Sequence, residues 1–289
     1  MSKDQNDDRG LGPADRTHVM RDSHRIPAIG LGTYPMDDAE AEANVAEALM
    51  LGYRMVDTAV NYGNETGVGR GIAASGVDRE DVFLTTKLPG RDHGTDSVRR
   101  SLEGSLRRLD TDHVDLYLIH WPNPSVGRYV ETWQTMLELQ QEGLVRSVGV
   151  SNFTPTHVLH LEEATGVTPV VNQVELHPQY QQERLREFHD QHRIITQAWS
   201  PLGRKTDLLQ DEWLAGIARQ TGRTPAQVVL RWHVQSRTVP IPKTSDTRRM
   251  AENLDVFDWE LDDEQMHRLR MLHTGISGSG YDPDTHEEM

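Results

Sequence analysis

Residues 56–72 read VDTAVNYGNETGVGRGI, and the purpose of their glycines decides the fold. Val56-Asp57-Thr58-Ala59 reads as a short strand, followed by a turn and a glycine-rich helix. Strand, glycines, helix is also the order of a phosphate-gripping dinucleotide loop. That loop needs G-x-G-x-x-G in the turn itself, with an acidic residue about 20 positions on. Here Gly67-Val68-Gly69-Arg70-Gly71 falls after the turn, inside the helix. Gly63, Gly67 and Gly71 recur every four residues, so they share a face on which small residues allow a neighbour to come close. The glycines are therefore predicted to pack, not to bind phosphate. Asp57 at the strand end and Tyr62 in the following loop still need a purpose.

Outward from this stretch, the same strand-then-helix unit repeats. Strands are predicted over Ala28–Thr33, Met55–Ala59, Val82–Leu88, Val114–His120, Ser147–Asn152, Val170–Leu176, Ile194–Ser200 and Val239–Lys243. Helices are predicted over Asp38–Met50, Thr95–Leu109, Val130–Glu142 and Pro225–Gln235, the last opened by Thr224 as N-cap and Pro225 in the first turn. The strands are rich in Val, Ile and Leu without clean alternation, as in a parallel sheet covered on both faces. Eight such units predict an α/β fold of the (β/α)₈ TIM-barrel type; a doubly wound open sheet is the alternative. Residues 16–27, with Arg21-Asp22-Ser23 between short β-like arms, predict an N-terminal β-hairpin, and Asp207–Thr221 an extra helix. One domain is expected over 16–280. The polar residues 1–15 and 281–289 are expected to be mobile tails.

Composition narrows the function. The chain has 289 residues, 36% of them apolar, and a formal net charge of −15. That charge argues against nucleic acid or an anionic membrane as partner. No apolar run approaches the roughly 18 residues of a membrane span. The start, MSKDQNDDRG, is unlike a signal peptide, so a cytoplasmic protein is expected. The absence of cysteine removes disulfides, thiolate metal sites and cysteine nucleophiles. Of 30 basic residues only Lys3, Lys87, Lys205 and Lys243 are lysines. A lysine at the end of an apolar strand therefore stands out, because its pKa can be tuned and that of arginine cannot.

The strand ends carry the chemistry. Asp57, Lys87 and His120 end the second, third and fourth predicted strands, and Tyr62 follows the second. In a barrel these ends converge on one mouth. Buried Asp57 would hold the Lys87 ammonium, and that ammonium would lower the Tyr62 pKa from about 10. A phenol tuned in this way can donate a proton to a carbonyl oxygen that gathers charge. His120 can hydrogen-bond the same oxygen. Only a hydride is missing. His157/His160 and His189/His192 have a metal-compatible spacing but no third ligand and no place at a strand end, so no metal is expected.

With these motifs in view, the chain resembles the aldo-keto reductases over roughly residues 16 to 280, and among them the bacterial 2,5-diketo-D-gluconate reductases. The likeness rests on GLGTY (30–34), residues 52–72, DLYLIHWP (115–122), GVSNF (149–153), NQVELHP (172–178), WSPLG (199–203) and IPKTSDTRRMAENL (241–254). It implies a catalytic tetrad of Asp57, Tyr62, Lys87 and His120, with Tyr62 as general acid and NADPH as hydride donor. It also implies that Ser151, Asn152 and Gln173 hold the nicotinamide carboxamide, with Trp199 stacked on the ring. Ser200, Leu202 and Gly203 would lie along the pyrophosphate. Lys243, Thr244, Ser245 and Arg249 would take the 2′-phosphate, with Glu252 and Asn253 near the adenine. Tyr34, Trp121 and Asn152 would line the substrate pocket. The family often has a tryptophan shortly after the lysine; here the order is Lys87-Leu88-Pro89-Gly90, so one wall should be smaller or differently shaped.

The expected activity is NADPH-dependent reduction of an aldehyde, ketone or keto-sugar by a monomer. The alternative is an NADP(H)-binding regulatory or redox-sensing subunit with little turnover. The complete tetrad and the lack of a long partner-binding segment favour the enzyme. A barrel glycosidase would need two facing carboxylates; Asp57 and Glu175 are the candidates, and Asp57 is claimed by Lys87.

Overall fold

In the computed structural model, residues 16–289 are described; the tail expected over 1–15 lies outside them. The barrel strands are β3 (Leu31–Gly32), β4 (Met55–Asp57), β5 (Phe83–Leu88), β6 (Val114–Ile119), β7 (Val145–Ser151), β8 (Val171–Glu175), β9 (Ile195–Trp199) and β10 (Val239–Pro240), after a hairpin of β1 (Thr17–Val19) and β2 (Arg25–Pro27). All eight predicted strands are present. They run parallel, in sequence order, from β3 to β10. The sheet closes on itself where the Gly30 and Gly32 N–H groups donate to Pro240 O and Pro242 O, each at 3.1 Å. Gly32 lies tight on this seam, because a Cβ there would come within 3.0 Å of Ile241 O.

The helices are α1 (Asp38–Leu51), α2 (Glu65–Ser75), α3 (Thr95–Leu109), α4 (Tyr129–Gln141), α5 (Pro155–Thr165), α6 (Glu183–His192), α7 (Glu212–Thr221), α8 (Pro225–Gln235), α9 (Thr247–Leu254) and α10 (Asp263–Arg270). Their ends follow local chemistry. Asp37 and Glu40 form a capping box at the start of α1, and Gly52 in the left-handed region stops it. Thr224 and Gln227 do the same for α8, with Pro225 in the first turn as expected. The extra helix of the 207–221 region is α7, preceded by a single turn at Leu208–Gln210.

The glycines of α2 pack. A Cβ at Gly67 would lie 2.0 Å from Asp38 O, and one at Gly71 2.7 Å from Glu42 O, so both face α1. Gly69 meets the end of α3, where its Cβ would be 2.4 Å from Leu109 O. Gly63 differs from the expectation: with φ of +69° and open space around it, it is a turn residue, not part of the packed face. Met20 and Ile26 of the hairpin are buried with Met55, Phe83, Leu116, Val171 and Val239, so the hairpin caps the barrel's lower end. The other end is left for chemistry. No described helix is long and apolar enough to cross a membrane.

Candidate active site

Lys87 is fully buried near the end of β5. Its ammonium donates to Asp57 Oδ1, to Thr58 O at 3.0 Å and to the Tyr62 hydroxyl at 3.3 Å. Burial alone pushes the ammonium pKa down; the Asp57 carboxylate, and then Tyr62, outweigh it and hold the value above the ordinary one. The other Asp57 oxygen accepts from Gln173 Nε2 at 2.7 Å, and Gln173 also donates to Gln197 Oε1 at 2.8 Å. Both carboxylate oxygens are thus paired in a residue 1% exposed, as a buried charge requires.

Tyr62 ends a single helical turn, Val60–Tyr62. Its ring is partly open to the barrel mouth. Burial of the hydroxyl pushes the phenol above its ordinary pKa, Lys87 opposes this, and Asp57 works with it. The direction is opposite to the sequence expectation, which weighed the cation but not the desolvation. Tyr62 is therefore a neutral phenol at neutral pH. His120, one residue past β6, meets it edge-on with ring centroids 5.8 Å apart. Tyr34 approaches from the other side at 5.1 Å.

A cavity of about 710 Å³ opens above this group. Asp57, Tyr62 and His120 lie at its inner end, with Tyr34 and Trp121 beside them. Ser151, Asn152, Gln173 and Trp199 form one wall, and Ser200, Leu202, Gly203 and Lys243 continue outward. Asn152 is held from three sides. Its amide donates to His120 O and Ser151 Oγ, each at 3.1 Å, and its Oδ1 accepts from Trp199 Nε1 at 2.8 Å. Asn152 and Ser200 adopt left-handed φ values of 62° and 50°, a strained backbone of the kind that gathers at functional sites.

The remaining expected residues lie past the cavity wall, between β10 and α9. Lys243 and Arg249 are exposed, and Lys243 Nζ donates to Ser245 Oγ at 3.0 Å. Thr244 is buried and accepts from the Asp246 amide at 3.1 Å. Asp246 itself caps α9 through the Arg249 amide. Glu252 is half-buried, 3.7 Å from Arg248, and Asn253 is buried beside Tyr53. The paired histidines are otherwise engaged: His189 bonds Asn172 and Thr196, His160 bonds Tyr129, His157 helps cap α5, and His192 lies 3.4 Å from Glu162.

The sequence profile of the Aldo/keto reductase family matches residues 28–273. The chain belongs to the aldo/keto reductase family. It is 50% identical over 273 residues to 2,5-diketo-D-gluconic acid reductase B of Corynebacterium sp., covering 94% of this chain and 98% of that protein. Among solved structures, a mutant of Gox0644 in complex with NADPH is 47% identical, with a TM-score of 0.90 over 94% of this chain and 98% of that one. A Bombyx mori aldo-keto reductase in complex with NADP is 33% identical, with a TM-score of 0.86 over 93% and 98%.

Other residues of this aldo/keto reductase escaped the sequence reading. Gln197 supports Gln173, its cross-strand partner on β9, but a glutamine in mid-strand carries no local signal. Arg204 lays its guanidinium 5.1 Å above the Tyr34 ring, bridging the cavity mouth. Residues 281–289, expected as a mobile tail, fold back across the mouth. Glu175 accepts from Ser277 Oγ and Ser279 Oγ, each at 2.6 Å, and from Gly278 N at 2.8 Å. Burial raises the Glu175 pKa, but His177 and these donors outweigh it and hold the carboxyl at about 2. Tyr281 and His286 then pack edge-on against Trp121 at 5.7 and 4.3 Å. Finally Glu288 reaches His120, with Oε1 2.7 Å from Nδ1, a close approach that is not aligned as a hydrogen bond.

Proposed function

We propose that the protein reduces aldehyde and ketone carbonyls, keto-sugars among them, to alcohols with NADPH. The observation that carries this reading is Lys87, buried between the Asp57 carboxylate and the Tyr62 phenol at the inner end of a cavity that His120 also lines. Tyr62, neutral and backed by a cation, gives its proton to the carbonyl oxygen as charge develops there, and Lys87 stabilises the phenolate left behind. Asp57 keeps Lys87 charged and fixed. His120 orients the same oxygen, and Trp121 and Tyr34 shape the space around the substrate.

The residues present suit the cofactor bound by the structural neighbours. Trp199 gives the cavity a large aromatic face, and Ser151, Asn152 and Gln173 offer amide and hydroxyl partners for a carboxamide. Ser200, Leu202 and Gly203 would follow the pyrophosphate, and Lys243, Thr244, Ser245 and Arg249 would take the 2′-phosphate, with Glu252 and Asn253 beside the adenine. The exposed Lys243 and Arg249 are the local positive patch that an anion needs on a chain of charge −15. When bound, NADPH supplies the hydride. The net charge and the lack of cysteine support a monomer working in the cytoplasm, which size-exclusion chromatography and localisation would test.

The experiment is NADPH consumption across methylglyoxal, aromatic aldehydes and diketogluconate, with Tyr62→Phe as the decisive variant. Removing the acid should cut kcat by about 10²-fold or more and leave NADPH affinity nearly unchanged. Near-native kcat in this variant, with the chemical step rate-limiting, would take Tyr62 out of the mechanism.

A further inference from the structure

The folded-back C-terminus brings a carboxylate to the reacting end of the cavity. Glu288 Oε1 lies 2.7 Å from the buried Nδ1 of His120 and accepts from Asn61 Nδ2 at 2.7 Å. The main chain of residue 288 is held by fully buried Asn123, whose amide donates to Glu288 O and whose Oδ1 accepts from Glu288 N at 3.3 Å. Gly90 makes room for this seat: a Cβ there would come within 1.9 Å of Glu288 O. Next to it, Ser125 N donates to Glu287 Oε1 at 3.1 Å. The differently shaped wall expected beside Pro89-Gly90 is thus filled by the chain's own penultimate residue.

The charge of that wall is set. Burial pushes the Glu288 carboxyl upward, but His120, Asn61 and the Gly90 amide outweigh it and hold it below the ordinary carboxylate range. The Lys87 and Arg91 cations do not cancel it, and His120 opposes it only when protonated. Lys87 is neutralised by Asp57, and Arg91 is turned to Asn61 Oδ1. The second oxygen, Oε2, is buried and has no hydrogen-bond partner among the described residues. The Glu288 side chain is 13% exposed and lines the same cavity as Tyr62 and His120.

We propose that Glu288 is a specificity-determining residue: its carboxylate forms an anionic wall beside His120 that accepts neutral, hydroxyl-bearing carbonyl compounds and disfavours those with a carboxylate within a few atoms of the reacting carbon. The proposal rests on the carbonyl-reductase reading and narrows its substrate class. A like charge brought into a partly desolvated site is rejected more strongly than in water, whereas a donor hydroxyl that reaches the carboxylate meets an acceptor. By this reasoning a diketogluconate anion is a weaker substrate than a neutral hydroxyaldehyde.

The test compares kcat/KM for D-glyceraldehyde, a neutral hydroxyaldehyde, with that for succinic semialdehyde, an anion, in the native chain, in Glu288→Gln and in a chain ending at His286. Glu288→Gln keeps the size and removes the charge; the shortened chain removes Glu288 together with Glu287 and Met289 and changes no barrel residue. The ratio of the two constants cancels intrinsic reactivity and any loss common to both substrates. In both variants the ratio should shift toward the anion by about tenfold or more, the scale of one like-charge contact. An unchanged ratio overturns the proposal, even if the shortened chain turns over both aldehydes faster, since that would make the tail a steric plug. Absence of NADPH-dependent turnover of either aldehyde by the native chain would overturn the reading beneath it as well.

Discussion

Replacing Lys87 with methionine separates what the buried ion pair does for the fold from what it does for the reaction. Methionine keeps most of the side-chain volume and removes the charge with its three hydrogen bonds, to Asp57, Thr58 and Tyr62. Asp57, 1% exposed, is left as a buried carboxylate with Gln173 Nε2 as its remaining side-chain partner. Breaking such a pair costs about 3–5 kcal/mol, because the partner's desolvation is no longer compensated. At roughly 2–4 °C per kcal/mol for a domain of this size, Tm should fall on the order of 10 °C. Activity should be lost as well, since among the described residues no other cation hydrogen-bonds Tyr62. In the double variant Lys87→Met with Asp57→Asn the orphan charge is gone. Calorimetry should show most of the stability restored, with a coupling energy of about 2 kcal/mol or more between the sites. NADPH-dependent turnover should stay at the level of the single variant. Additive stability losses would refute the account of the buried pair. Turnover that returned with stability would show that the cation serves only the fold.

Arg249→Ala should raise the Kd for NADPH by roughly ten- to a hundredfold, the range of one charge-assisted contact, and at the lower end because the side chain is exposed. NADH binding should barely change. Quenching of Trp199 fluorescence measures both, and equal losses for the two cofactors would mean that Arg249 does not read the 2′-phosphate. The Glu175 clasp predicts a pH response of the chain's end. Its carboxyl pKa is lowered from 4.5 to about 2, so the clasp is at full strength above pH 4.5 and weakens as pH falls toward 2. That shift corresponds to about 3 kcal/mol, shared between His177 and the tail donors. Glu175→Gln, which leaves the serine and glycine donors a single acceptor oxygen, should at neutral pH raise hydrogen exchange over residues 277–289. Protection equal to that of the native chain would show that the tail is held elsewhere.

The barrel was legible because its signals are local. Val114–Ile119 is an unbroken buried run with His120 right behind it, and such a run has few readings other than an interior parallel strand. Asp37, Thr224 and Gly52 mark helix ends by their own hydrogen-bond chemistry. The site was legible for a related reason: barrel topology sends every strand end to one mouth, so Asp57, Lys87 and His120 had to converge. What local reasoning missed depends on partners distant in sequence. Thr274–Met289 is polar and glycine-rich, which reads as a solvated tail, yet its serines and backbone amides satisfy Glu175 and its Glu288 satisfies Asn61 and Asn123. Gln197 matters only through its register with Gln173. The Tyr62 shift went the other way because the depth at which a hydroxyl is buried is a property of the assembled mouth, not of the residues beside it in sequence.

The seam between β3 and β10 has a consequence for how the protein comes into being. Pro240 and Pro242 have no N–H, so at the seam they serve only as acceptors, and the amides of Gly30 and Gly32 donate to them. The two edges come from opposite ends of the barrel's sequence. During synthesis the first strand must wait, unpaired on one side, until nearly the whole chain has left the ribosome. Joining such distant edges is slow, because chain entropy is lost before any contact rewards it. Lys243 follows directly on the late edge. A ligand gripping Lys243 and the β9 loop together would bind the closed ring and not the open one, and so would draw newborn chains toward closure by mass action.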